Sequence, residues 1–285
     1  MPPRFLKFHG FGNDYIVIEA TEAQSWHLGE LARLLCNRHY GAGADGIAVV
    51  EPASNTSADF QVRIFNPDGT EAGLSGNGTR CAAAYLHHTG TWSQPLLRLG
   101  TRTGVKKYHL RESPSEGIFV FDSELGQPVF NSAAIPINTE SDLERVVDYP
   151  LRINGESFLI TALQMGNPNC CIFVEDFNAI DWRRVGRTIE THNAFPERTN
   201  VTFVRVHDRK TIELRIWERG VGETTASGTC SCAAAIASMI KGLTDRSVEA
   251  KMEGGVATIE WRSDLEVVIT GTAEVIYSGD WLGKI

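Results

Sequence analysis

Two Ser-Gly pairs, Ser75-Gly76 and Ser227-Gly228, each sit where a polar, glycine-rich loop gives way to an alanine run, Ala82-Ala83-Ala84 after the first and Ala233-Ala234-Ala235 after the second. Serine before a helix is a common N-cap, and for a single loop that would be a sufficient account. These two loops share more than the cap. Asn66-Pro67-Asp68-Gly69-Thr70-Glu71 leads into the first and Glu218-Arg219-Gly220-Val221-Gly222-Glu223 into the second. A helix start offers N–H groups without partners inside the helix, together with the positive end of the helix dipole. The N–H groups of Gly76, Asn77 and Gly78, and those of the matching turn at Gly228, therefore suit a small anion such as a carboxylate.

Asparagines form a second group: Asn13 after Gly12, Asn66, Asn167 in Met165-Gly166-Asn167-Pro168, and Asn200 after Arg198-Thr199. Each alone reads as a turn residue. Their recurrence at matching ends of repeated phrases points instead to a polar cage, because amides donate and accept without carrying charge and so can hold both ends of a zwitterion. Glu218 adds an acceptor for an ammonium, and Arg219 a fork for a distal carboxylate.

The elements that position these residues are themselves repeated. Val62-Arg63-Ile64-Phe65-Asn66 is echoed by Leu214-Arg215-Ile216-Trp217-Glu218, and Gly12-Asn13 ahead of an apolar run by Gly166-Asn167. Such a repeat is far longer than the roughly 20 to 50 residues of a solenoid unit, so each copy is a domain. Periodicity predicts strands over 5–19, 46–50, 60–65, 96–99, 106–111 and 117–121, with helices over 26–38 and 76–89. The second half predicts strands over 157–162, 170–175, 202–207, 211–218, 248–252, 256–261, 265–270 and 273–277, with helices over 182–191 and 228–241. The expected class is α+β, two pseudo-symmetric domains in which a mostly antiparallel sheet wraps a central helix, with the active site in the cleft between them. The domains are expected at 1–130 and 150–285, joined by 131–149, the last strand returning to the first.

Composition narrows the function classes. The chain has 285 residues, is 42% hydrophobic and carries a net charge of −8 without a Lys/Arg run, which argues for two ordinary cores and against nucleic acid. No stretch approaches about 18 apolar residues and no signal core opens the chain, so a cytoplasmic protein with no membrane partner is expected. Six cysteines without metal-ligand or disulfide spacing read as small buried hydrophobes, and no metal is expected.

In order along the chain, Gly10-x-Gly12-Asn13-Asp14, Asn66-x-Asp68-Gly69, Gly76-Asn77-Gly78-x-Arg80-Cys81, Met165-Gly166-Asn167-Pro168 and Glu218-Arg219-Gly220-x-Gly222-Glu223-Thr224 resemble the diaminopimelate epimerases. The Met-Cys-Gly-His-Gly pattern of the related proline racemases and hydroxyproline epimerases is absent. The resemblance implies inversion of one α-carbon of a small diamino diacid, LL- to meso-diaminopimelate, in lysine and peptidoglycan precursor synthesis, without pyridoxal phosphate or any other cofactor. It places Ser75 and Ser227 at the two acid/base positions. It gives the reacting carboxylate to the N–H groups of Gly76, Asn77, Gly228 and Thr229, and the distal end to Asn66, Asn167, Asn200, Glu218 and Arg219, with Asn13 lining the reacting end. A homodimer is left open.

The chain departs from that family where the chemistry is done. The resemblance implies cysteine at both acid/base positions, and this chain has Ser75 and Ser227; it implies histidine after Asn167-Pro168, and this chain has Asn169. A thiol, with a reference pKa of about 8.5, ionises near neutrality at a helix N-terminus, whereas a serine hydroxyl needs a neighbouring base. The expectation is very weak epimerisation by this polypeptide. The serines fit an engineered pair in an epimerase, a diverged homologue that binds amino acids or runs a serine-dependent isomerisation or elimination, or a binding protein on the same scaffold.

Overall fold

Tyr15, Ile16, Val17 and Ile18 are all buried, and since successive strand residues point to opposite faces, the strand that carries them needs cover on both sides. In the computed structural model, which describes residues 3–54 and 56–283, that cover is two helices. The elements of the first half are β1 (Arg4–Gly10), β2 (Asn13–Glu19), α1 (Leu28–Cys36), β3 (Gly46–Pro52), β4 (Phe60–Phe65), β5 (Glu71–Ala72), α2 (Gly76–His88), β6 (Leu96–Thr101), β7 (Gly104–Ser115) and β8 (Ile118–Gly126). Tyr15, Val17, Ala48, Val50, Val62 and Ile64 pack with Cys81–Leu86 of α2. Ile16, Ile18, Ile47, Val49 and Phe65 pack with Leu31, Ala32, Leu35 and Cys36 of α1. Helix α2 is buried continuously from Asn77 to Leu86, the mark of a helix enclosed by its sheet. Its alanines keep it narrow enough for that position.

The second half follows the same order: β9 (Val146–Ile153), β10 (Glu156–Gln164), β11 (Pro168–Phe173), α3 (Trp182–Glu190), β12 (Asn200–Asp208), β13 (Thr211–Glu218), β14 (Gly222–Thr224), α4 (Gly228–Ile240), β15 (Ser247–Met252), β16 (Gly255–Trp261) and β17 (Val267–Asp280). The repeat extends to strand direction. β2 and β3 are parallel and joined through α1, as β11 and β12 are through α3. β4 and β6 are parallel and joined through α2, as β13 and β15 are through α4. Parallel neighbours require such crossovers. Around them the pairs β1–β2, β3–β4, β6–β7, β10–β11, β12–β13 and β15–β16 are antiparallel. Each half is thus a mostly antiparallel sheet wrapped on a central helix, with α1 and α3 as outer helices.

The chain divides into two compact units, one running to Ser123 and resuming at Thr270, the other Glu124–Ile269. The changes of unit fall inside β8 and β17, and the segment 131–149, expected as the connection, lies in the second unit. Ile135, Ile137 and Val146 explain why: they are buried in the core that also holds Trp182, Val185 and Ile189 of α3. Three apolar anchors spaced among polar residues give no periodic signal. The end of β17 pairs with β1, Tyr277 opposite Lys7. The strand expected over 5–19 is two strands joined at Phe11-Gly12, with Gly10 opposite Asn13. Both joining residues have positive φ, 56° and 77°, the mark of a two-residue hairpin turn. A phenylalanine there is unusual; its buried ring lies 5.1 Å from the Arg80 guanidinium. Among the described residues no helix is long and apolar enough to cross a membrane. All six cysteines are free and buried.

Candidate active site

In the first unit, α2 begins at Ser75, whose backbone is extended (φ −133°) and whose Oγ accepts from the Gly78 N–H at 3.1 Å. The Thr79 N–H donates to the Ser75 carbonyl at 2.9 Å. Helix geometry leaves the Gly76 and Asn77 N–H groups without an intrahelical acceptor, so this start keeps two donors at its positive end. Asn77 is tied down beside them: its Oδ1 accepts from Arg80 Nη1 at 2.9 Å, and its Nδ2 donates to Asn13 Oδ1 at 3.3 Å. Asn13 Nδ2 donates in turn to Asp45 Oδ2 at 2.8 Å. Asn66 stands apart in its own turn, donating to Thr70 Oγ1 at 3.0 Å.

Behind Asn13 lies an ion cluster that fixes where β2 starts. Asp14 receives Arg38 through both oxygens, at 2.8 and 3.2 Å, and Lys7 at 2.8 Å. Arg38 also reaches Asp45 at 2.8 Å. Burial by itself would raise the Asp14 carboxyl, but hydrogen bonds from Arg38 and Lys7 outweigh it and hold the group at about 2, below the ordinary 3.8. A depressed carboxylate stabilises the fold above its unfolded pKa. That contribution, on the order of 2 kcal/mol, is complete above about pH 4 and lost as pH falls through about 2. Asp14→Asn is therefore expected to lower stability at pH 7 by about that amount and to flatten the acid limb of the unfolding curve. Urea titrations at pH 7 and in the acid range check both.

In the second unit, α4 begins at Ser227, also extended (φ −149°), but its hydroxyl makes no capping bond. The Ser231 N–H donates to the Ser227 carbonyl at 3.0 Å, and the Gly228 and Thr229 N–H groups have no intrahelical acceptor. Glu218 lies close by: its Oε1 accepts from Thr224 Oγ1 at 2.9 Å, and the Ser227 hydroxyl is among the groups that pull its carboxyl back down. The β13–β14 hairpin, with Ile216 opposite Thr224, brings these groups together. Burial raises the Glu218 carboxyl and the two hydroxyls only partly offset it. Glu218 is thus a carboxyl poised against residue 227.

The remaining amides form one chain. Asn169, fully buried, sits opposite Asn200 on the parallel neighbour strand. Asn169 Nδ2 donates to the Asn167 carbonyl at 2.8 Å and to Asn167 Oδ1 at 3.0 Å, and Asn169 Oδ1 accepts from Asn200 Nδ2 at 3.3 Å. Asn200 Oδ1 accepts from the Arg219 N–H at 2.9 Å. The exposed Arg219 guanidinium donates to the Glu197 carbonyl at 2.8 Å. Each amide in the chain is oriented by the next. Asn13 and Asn77 are joined within the first unit; Asn167, Asn200, Glu218, Arg219 and Ser227 fall into two adjoining groups in the second.

The family model described as diaminopimelate epimerase matches residues 5–130 and 161–276. The chain belongs to the diaminopimelate epimerase family. It is 39% identical over 279 residues to the diaminopimelate epimerase of Caldanaerobacter subterraneus subsp. tengcongensis, covering 97% of this chain and 98% of that one. It is 40% identical over 279 residues to that of Pelotomaculum thermopropionicum, with 97% and 98% covered. Among solved structures, a hydroxyproline epimerase from Agrobacterium vitis with bound trans-4-OH-L-proline superposes with a TM-score of 0.67 at 14% identity, over 100% of this chain and 95% of that one. At that identity the likeness speaks for the fold. Diaminopimelate epimerases are isomerases, and this chain is a member of that enzyme family.

Two residues of these clusters carry no functional signal of their own in the sequence: Asp45 is a polar residue ahead of β3, and Thr224 ends the short strand β14. The repeated Glu71 and Glu223, which helped reveal the duplication, are strand residues held by Arg63 at 2.9 Å and Arg183 at 2.6 Å.

Proposed function

We propose that this chain binds LL- and meso-diaminopimelate, and that its scaffold serves the inversion of one α-carbon without pyridoxal phosphate or metal, in the cytoplasm. One observation carries the reading: each unit has a helix start with two N–H groups left over behind a residue at a proton-transfer position. Gly76, Asn77, Gly228 and Thr229 would take the reacting carboxylate, with Asn13 beside it. Their dipoles would stabilise the charge that moves onto that carboxylate as the Cα–H bond breaks. Asn66, Asn167, Asn200, Glu218 and Arg219 would hold the distal amino acid end. Inversion moves the α-proton to a base at one of positions 75 and 227 while the other delivers a proton to the opposite face.

With serine at both positions the groups that bind remain and the groups that exchange protons are lost, so the polypeptide is expected to bind and hardly turn over. Calorimetry with LL-diaminopimelate, beside a solvent-deuterium exchange assay at the α-carbon, tests this: heat of binding with negligible deuteration is the expected result, and ready α-deuteration overturns it. A second reading, a diverged homologue that binds an amino acid or uses Ser227 in isomerisation or elimination, draws support from the raised Glu218 carboxyl near Ser227 and from a buried amide at Asn169. Amino acid binding without catalysis predicts affinity and no α-exchange even with thiols at both positions.

A further inference from the structure

One line of hydrogen bonds in the first unit runs in a single direction. Arg80 Nη1 donates to Asn77 Oδ1 at 2.9 Å, Asn77 Nδ2 to Asn13 Oδ1 at 3.3 Å and Asn13 Nδ2 to Asp45 Oδ2 at 2.8 Å, while Arg38 reaches the other Asp45 oxygen at 2.8 Å. Taken alone, each amide could turn either way, because it carries a donor and an acceptor on atoms of similar size. The ends decide. A guanidinium only donates and a carboxylate only accepts, so an oxygen must face Arg80 and a nitrogen must face Asp45. Arg80 is held firmly for this role. It is 2% exposed, and its guanidinium lies 5.1 Å from the Phe11 ring. It also fills space that glycines leave, since a Cβ on Gly271 would lie 3.2 Å from its Cζ and one on Gly10 3.4 Å from its Nη1. Burying a cation is costly and an apolar side chain would fill the same space, so packing does not explain the charge.

We propose that Asp45 and Arg80 are positioning residues that fix the polarity of the Asn13–Asn77 amide pair and so fit the reacting end for a carboxylate. The inference rests on Asn13 and Asn77 lying at that end. With both oxygens turned to donors, each amide nitrogen carries a second hydrogen beyond the one the line uses. These hydrogens add to the Gly76 and Asn77 N–H groups as donors for one anion. Hydrogen bonds that run one way also polarise one another, so Asn77, whose oxygen accepts from a cation, is the stronger donor for it. The second unit holds a comparable line, from the Arg219 N–H through Asn200 and Asn169 to Asn167. That line starts at a backbone amide and ends at a side-chain amide, so neither end is charged.

Each end of the line can be altered and read at the amide beyond its neighbour, without any turnover. Asp45→Asn keeps the shape but places at position 45 an amide that can face Asn13 with either atom. It is expected to move the side-chain amide NMR signals of Asn77, one residue further along the line, and to weaken binding of LL-diaminopimelate about tenfold by calorimetry. Arg80→Gln, at the other end, is expected to move the Asn13 side-chain signals in turn. Asp14→Asn is the control. It weakens the same ion cluster through Arg38 but leaves the Asn13–Asp45 bond, so the Asn77 signals and the affinity should stay in place. Unmoved Asn77 signals or unchanged affinity in Asp45→Asn protein, or equal effects from Asp14→Asn, overturn the inference. Failure of the functional reading shows separately, as a parent protein that does not bind LL-diaminopimelate while its amide signals respond as expected.

Discussion

Ser75→Cys together with Ser227→Cys is expected to switch on epimerisation of LL-diaminopimelate, while neither substitution alone gives efficient inversion. Inversion needs a base on one face of the α-carbon and an acid on the other, so one thiol leaves the second face to a hydroxyl or to water. A positioned acid or base contributes roughly a hundred- to ten-thousandfold to such a step, and the double substitution should gain on both sides. The thiol at 75 would sit before two N–H groups with no intrahelical acceptor and the thiol at 227 near Glu218, so each meets a group able to shift its ionisation. Measuring α-hydrogen exchange separately from net inversion distinguishes the variants, because a single thiol can exchange on its own face without inverting. Inversion by either single variant at the rate of the double would show that two opposed groups are not required. Tight binding with no exchange in the double variant would favour the diverged homologue, with Asn169 the first residue to examine.

Where sequence alone located the site, it did so through repetition. A serine before Gly76 or Gly228 is an ordinary cap, but the same cap followed by the same alanine run marked α2 and α4, and the structure shows why alanine is needed there: these helices are enclosed by their sheets. The hairpin at Phe11-Gly12 was hidden because its first residue is a phenylalanine in a conformation that favours glycine or asparagine, so the apolar pattern ran across the break. β9 was hidden because its buried residues, Val146, Leu151 and Ile153, are unevenly spaced and give no sustained alternation. The amide chain through Asn169 depends on the parallel register that sets Asn169 against Asn200; spacing along the chain does not reveal which residues a crossover brings opposite one another.

The duplication also conceals a difference that matters for chemistry. Both units present a helix start with a hydroxyl residue ahead of it, yet Ser75 caps its own helix by accepting from the Gly78 N–H, whereas the Ser227 hydroxyl makes no capping bond. Equivalent backbones thus hold unequal environments.

Glu218→Gln is expected to make the protein more stable and worse at its task. Burial raises the Glu218 carboxyl above its ordinary 4.5, so the folded chain binds that proton more tightly than the unfolded chain does. For a raised group the stability contribution is full below the unfolded value and is lost as pH rises through the folded value. At pH 7, above the unfolded value, the raised carboxyl therefore costs stability, and an amide of the same shape, which keeps an acceptor for the Thr224 hydroxyl, removes that cost. Melting curves should show the variant above the parent at pH 7, with the gap closing as pH falls toward the ordinary carboxylate range. Affinity should move the other way: if Glu218 accepts the distal ammonium, losing the charge weakens binding of the diamino diacid by roughly 2 kcal/mol or more, the scale for removing one member of a desolvated charge pair. A variant that is neither more stable at neutral pH nor weaker in binding would place Glu218 outside the site. A variant that is more stable but binds as well as the parent would confine its role to residue 227, which inversion by the double-cysteine protein carrying Glu218→Gln would then measure directly.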